Sequence, residues 1–176
     1  MERMHLDERI QLRRAALSSQ GAQRCDELLE LAELLRARLG ASNEPSDLDA
    51  IIEALRASVA AAPADHPGRL IALSNLGAAL QVRSRGADAA LLADAAEAFR
   101  AAIEITPAGD PELPSRQAGL AQALLALYDG NAEAALLDDA AQAARAADDG
   151  PDPDARAPPA AGRCPPGTLR AHRRRR

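Results

Sequence analysis

The chain repeats itself, and that property restricts its possible folds more than any other. Shifted by about 44 residues, Leu48 falls on Leu92, Glu53 on Glu97, Ala54 on Ala98 and Leu55 on Phe99. Arg56 then falls on Arg100, Val59 on Ile103, Pro63 on Pro107, Leu76 on Leu120 and Leu80 on Leu124. A shift of about 45 extends the series, bringing Asp94-Ala95-Ala96 onto Asp139-Ala140-Ala141 and Arg100-Ala101-Ala102 onto Arg145-Ala146-Ala147. Run backwards, it sets Leu76, Leu80 and Arg83 on Leu31, Leu35 and Arg38. A unit of this size cannot bury its own apolar face, so the units must stack on one another.

Each period holds two amphipathic segments with readable ends. The first opens at Pro67, and in the next copy at Asp110-Pro111-Glu112, where the aspartate can cap and proline wastes no hydrogen bond. Its apolar stripe is Leu73, Leu76, Gly77 and Leu80, echoed by Leu28, Leu31, Ala32, Leu35 and by Leu120, Ala121, Leu124, Leu127. The second opens at Ser46-Asp47-Leu48-Asp49, which has the form of a capping box. Its stripe is Leu48, Ile51, Ile52, Leu55, Val59, echoed by Leu92, Ala95, Ala96, Phe99, Ile103 and by Leu137, Ala140, Ala141, Ala144. Pro63 and Pro107 stop it, because proline cannot extend the helical ladder.

Only 1% of residues are aromatic, Phe99 and Tyr128, so the interior must be thin and closed by Ala and Leu. The expected fold is therefore all-α: an antiparallel helix-hairpin solenoid of about three hairpins over residues 1–147. Its units are expected near 20–63, 67–107 and 111–147, preceded by a partial unit.

The residues Leu73-x-x-Leu76-Gly77-x-x-Leu80, Ala95-x-x-x-Phe99, Ala102 and Pro107 resemble the tetratricopeptide repeat. The resemblance covers roughly residues 8–147, and its period of about 44 exceeds the family's usual 34. It is similar to a long-period subgroup found in actinobacterial and fungal proteins, many of which carry a caspase-like (CHAT) peptidase domain after the repeats. The resemblance implies that Gly77, Ala32 and Ala121 lie where the helices of a hairpin touch. It further implies that Ala95 faces them and that Phe99 fills the groove to the next unit. It implies a protein-binding scaffold whose first helices line a concave wall holding an extended peptide or partner helix. Glu30, Glu33, Arg36, Ser74, Asn75, Gln81 and Gln122 are the polar candidates on that wall. The alternative it leaves open is a truncated piece of a larger peptidase-bearing protein with no activity of its own.

From residue 148 onward the pattern stops, and half of the chain's prolines fall in a run rich in Pro, Gly, Ala and Arg. Such a composition cannot offset its ordering entropy, so a disordered tail is expected over 148–176. Either a genuine tail or out-of-frame sequence would read this way. On the alternative of a truncated piece, the last unit, without a closing polar helix and with Ala144 in place of the ring of Phe99, would self-associate or fray at its uncapped end.

Catalytic chemistry is not expected. His5, His66 and His172 are scattered, with no His or Cys at ligand spacing, and His66 reads as a surface turn residue. Cys25 reads as a small buried hydrophobe, Cys164 lies in the tail, and the pairs Asp138-Asp139 and Asp148-Asp149 read as caps or solvated charges. No phosphate-cradling glycine loop is present, so neither a metal nor another cofactor is expected. The terminal Arg173–Arg176 run argues for phosphate contact. However, residues 1–147 carry a net charge of about −8, the stated −5 less the tail's surplus of about +3. No aromatic side chains interleave the arginines, and specific nucleic-acid binding is not expected. No apolar run reaches the roughly 20 residues of a membrane span, and the charged N-terminus is unlike a signal peptide, so a cytoplasmic protein is expected.

Overall fold

The computed structural model describes residues 2–17, 20–42, 44–85, 88–131 and 134–149. These are helix and connecting turn, with no strand among them. The helices are α1 (Glu2–Ala16), α2 (Gly21–Ser42), α3 (Pro45–Ala61), α4 (Pro67–Ser84), α5 (Ala89–Ile105), α6 (Leu113–Asn131) and α7 (Ala134–Asp149). Three hairpins, α2/α3, α4/α5 and α6/α7, pack in sequence, each second helix lying against the first helix of the next pair. Helix α1 stands before them and packs on α2 as α3 packs on α4. The first helices, α2, α4 and α6, also touch along the stack and are called A helices below; α1, α3, α5 and α7 are B helices. Helix α7 continues to Asp149, so the expected tail lies outside the described residues from 150 onward.

Local chemistry accounts for the helix ends, in places differently from expectation. Helices α3 and α5 stop at Ala61 and Ile105, each two residues short of its proline. The capping box expected at Ser46 does not form. Helix α3 starts earlier, with Glu44 as an N-cap that makes no side-chain bond and Pro45 in the first turn. Asp47 instead turns inward, is 2% exposed, and accepts from Arg38 Nε of α2 at 3.1 and 3.0 Å. A charge-assisted bidentate pair out of water is stronger than an exposed cap, so Asp47 serves the hairpin rather than the helix end. Helix α6 begins two residues after Pro111, while an Asp110 carboxylate oxygen accepts from the Glu112 amide at 2.8 Å. His66 is no surface turn residue: half-buried, it caps α4, its Nδ1 accepting from the Gly68 amide at 3.2 Å.

The core follows the repeat. Ile10, Leu55 and Phe99 occupy one position per period on α1, α3 and α5, and each is buried at the next A helix. The same position on α7 is Ala144, which is exposed because no A helix follows it in the described stack. Phe99 is the bulkiest of these anchors and is held between two glycines. A Cβ on Gly77 of α4 would lie 2.8 Å from its ring, and one on Gly119 of α6 would lie 2.6 Å from it. Both helices thus approach the ring through bare backbone, and its burial contributes about 2–3 kcal/mol. Ala32, Ala95, Ala102, Ala121, Leu76 and Leu80 are all buried alongside.

Candidate partner-binding surface

The two sides of the stack differ in chemistry. On the B side, ion pairs join successive hairpins in register with the repeat. Arg56 of α3 reaches Asp94 of α5 at 2.6 Å, and one period on Arg100 reaches Asp139 of α7 at 3.1 Å. Asp139, expected as a cap or a free surface charge, is thus the acceptor of a rung. Arg83 of α4 pairs with Asp49 of α3 at 2.5 Å, and the Asp49 hydrogen bond raises its pKa above the ordinary arginine value. These pairs are half-exposed, so they fix register more than they add stability.

The deeper polar groups also join elements. Arg38 of α2 binds Asp47 and, through Nη1, Asp7 of α1 at 2.8 Å, and these hydrogen bonds raise its pKa. Arg116 of α6 is nearly buried; its Nε donates to Ser74 Oγ of α4 at 3.0 Å and its Nη1 lies 3.3 Å from Asp110. The Glu112 amide and Arg116 together hold the Asp110 carboxyl below its usual pKa.

The A side is different. On α4, Ile71, Asn75, Ala78 and Val82 form one row opposite the core stripe, and Ile71 and Val82 are 50% and 62% exposed. On α6, Gln122, one period beyond Ala78, and Leu125, one period beyond Gln81, are both exposed. Where α1 lies beside α2, an open groove of about 870 Å³ is lined by Leu6, Leu12, Leu29 and Leu34, with Ile71 at its α4 end. Arg9, Arg13, Glu30 and Glu33 rim it, and Leu12 is 64% exposed. Arg13 is ion-paired with Glu30 across the α1–α2 seam, and Arg36 lies 3.5 Å from Glu33.

The sequence-derived candidates divide between the two settings. Glu30 and Glu33 line the groove, Arg36 stands beside it, and Asn75 and Gln122 lie on the A-helix rows. Ser74 and Gln81 face the α4–α6 seam. Ser74 Oγ donates to the Leu70 carbonyl at 3.0 Å besides accepting from Arg116, and Gln81 Nε2 donates to the Gly119 carbonyl at 2.8 Å. Sequence reasoning missed the apolar part of the surface, Leu12, Ile71, Val82 and Leu125. A usable signal existed, since Ile71 and Val82 are about three turns apart on a row that excludes Leu73, Leu76 and Leu80. No helix among the described residues is long and apolar enough to cross a membrane. Comparison with protein-family models, with curated proteins and with solved structures finds no match for the chain.

Proposed function

We propose that this chain is a non-catalytic interaction scaffold of the tetratricopeptide type that binds a partner's amphipathic helix on its A-helix side. The observation that carries the reading is the exposure of Leu12, Ile71 and Val82 along and beside a groove rimmed by charge of both signs. Large side chains left in water on one face, with charged residues around them, characterise interaction surfaces rather than ordinary solvated helices. A helix is the favoured occupant because the groove runs between two helices and pairs an apolar floor with a charged rim, as an amphipathic helix would require. Its apolar row would meet Leu12, Leu34 and Ile71, while its flanking acids and bases would meet Arg9 and Glu33. The charged B side would face solvent, and we place the protein in the cytoplasm, without nucleic acid or membrane as partner.

The test is a selection of helical peptides from a display library against the full chain, followed by titration. Selected peptides should bind saturably and lose roughly tenfold or more in affinity, about 1.4 kcal/mol, on Leu12→Glu or Ile71→Glu. Glu97→Lys on the opposite side should leave affinity unchanged. Peptides indifferent to both A-side changes would overturn the proposal.

A second reading rests on the opposite end of the stack. Ala144 and Leu137 of α7 are exposed where their counterparts Phe99 and Leu92 are buried, and Arg145 stands one period beyond Arg100. This end would accept a further hairpin, as expected of a piece of a longer array, or self-associate. A mass that rises with concentration and falls on Leu137→Glu would favour it; a concentration-independent monomer would exclude self-association.

A further inference from the structure

Two residues of α2 and one from the α3–α4 turn, far apart in sequence, converge on one point. Cys25 Sγ, an Asp26 carboxylate oxygen and a His66 ring nitrogen all lie within 4.8 Å of one another. The sulfur forms the floor, fully buried, whereas the Asp26 and His66 side chains are 59% and 19% exposed and form the mouth. Gly68 keeps the approach close: a Cβ there would sit 2.9 Å from Sγ and 2.8 Å from His66 Nδ1. Ser58 Oγ lies 3.0 Å from the Cys25 carbonyl, to which it donates, and 3.2 Å from Sγ, a contact in which either group can donate. Because Nδ1 of His66 accepts from the Gly68 amide, the ring proton sits on Nε2, which lies 3.8 Å from Asp26 Oδ1.

The geometry points to a binding site for a divalent cation of the zinc type, held by Cys25, Asp26 and His66 with water as fourth ligand. Thiolate, imidazole and carboxylate together suit zinc among the common divalent ions, whereas magnesium or calcium would require oxygen donors throughout. Bonds of about 2.0–2.3 Å in a tetrahedron bring ligand atoms to roughly 3.3–3.8 Å from one another. The required contraction falls on the exposed Asp26 side chain and on rotation of the His66 ring, and the buried sulfur can stay in place. On binding, the thiol proton leaves to solvent and the Ser58 Oγ–H can turn from the Cys25 carbonyl to the thiolate. His66 gives the cation one ring nitrogen, Nε2 by passing its proton to Nδ1, or Nδ1 by releasing the Gly68 amide. The bound ion links α2 of the first hairpin to the start of α4, so it braces the seam beside the groove.

Cobalt(II) titration of the full chain carrying Cys164→Ser tests this, because a cobalt–thiolate bond gives a charge-transfer band and tetrahedral cobalt gives intense visible bands. Both should saturate at one cobalt per chain and disappear when zinc is added. Cys25→Ser should abolish the charge-transfer band. His66→Asn, which retains a good capping residue, and Asp26→Asn should each weaken cobalt binding at least about tenfold while helical circular dichroism stays unchanged. Zinc should raise the Tm of the parent and leave that of Cys25→Ser unmoved. The proposal is overturned by absence of the sulfur band, by a band indifferent to His66→Asn and Asp26→Asn, or by a band present only when Cys164 is retained.

Discussion

Adding one methyl group at Gly119 should destabilise the stack, against the direction that helix propensity dictates. Glycine to alanine inside a helix ordinarily stabilises by about 1 kcal/mol. Here the new Cβ would lie 2.6 Å from Cζ and 2.7 Å from Cε1 of Phe99, where relaxed carbon contacts need about 3.5–4.0 Å. The ring must retreat by roughly 1 Å, but Gly77 already approaches its other side, where a Cβ would lie 2.8 Å away. With no free side to move into, the overpacking cost falls near the top of its usual range, about 3 kcal/mol. The net expectation is a loss of about 2 kcal/mol, or a Tm lower by roughly 4–8 °C for a chain of this size. Urea unfolding followed by helical circular dichroism measures it, with the denaturant slope unchanged. Two controls isolate the cause. Gly40→Ala, where nothing lies within 4 Å, should show the propensity gain alone, about 0.5–1 kcal/mol. In a Phe99→Leu background Gly119→Ala should become neutral or stabilising, giving a coupling of about 2 kcal/mol. Gly119→Ala more stable than the parent with Phe99 intact would refute the reasoning.

Other expectations follow from the polar joints and the exposed rows. Arg38→Ala strands Asp47, which is 2% exposed, and should cost about 3 kcal/mol in urea unfolding, the low end for a broken buried pair. Arg38→Met with Asp47→Leu should recover most of that loss. Asp110 has a depressed folded-state pKa, so its contribution is complete above its unfolded value, about pH 4, and is lost as pH falls through the lower folded value. Asp110→Asn should therefore lower Tm at neutral pH and flatten the acid limb of the Tm–pH curve; parallel curves would contradict this. Ile71→Glu and Val82→Glu should leave Tm within about 2 °C of the parent, because both side chains already sit in water.

The stacked hairpins were legible because stripe, breaker and period agreed. Leu76 and Leu80 recur with the same neighbours one period on, and Pro63 and Pro107 mark the same stop twice. Asp47 was misread because local sequence shows only the helix end, while the arginine that claims it lies on the preceding helix. Ser74 and Gln81 read as open-wall residues by register, yet hydrogen-bonding groups one helix away draw them into the seam. Apolar Ile71 and Val82 escaped notice for the opposite reason: an apolar residue in an amphipathic helix is assigned to the core unless its phase is checked. The cluster of Cys25, Asp26 and His66 depends on the packing of α2 against the α3–α4 turn, which no spacing rule within one segment could reveal.

The central claim, that the A-helix side is where a partner sits, is tested most directly by site-specific photo-crosslinking with a display-selected peptide. A photoreactive residue placed at Ile71 should yield a covalent peptide adduct that unlabelled peptide competes away, and the same residue at Glu97 should yield none. Adducts from Glu97 with none from Ile71 would contradict the account.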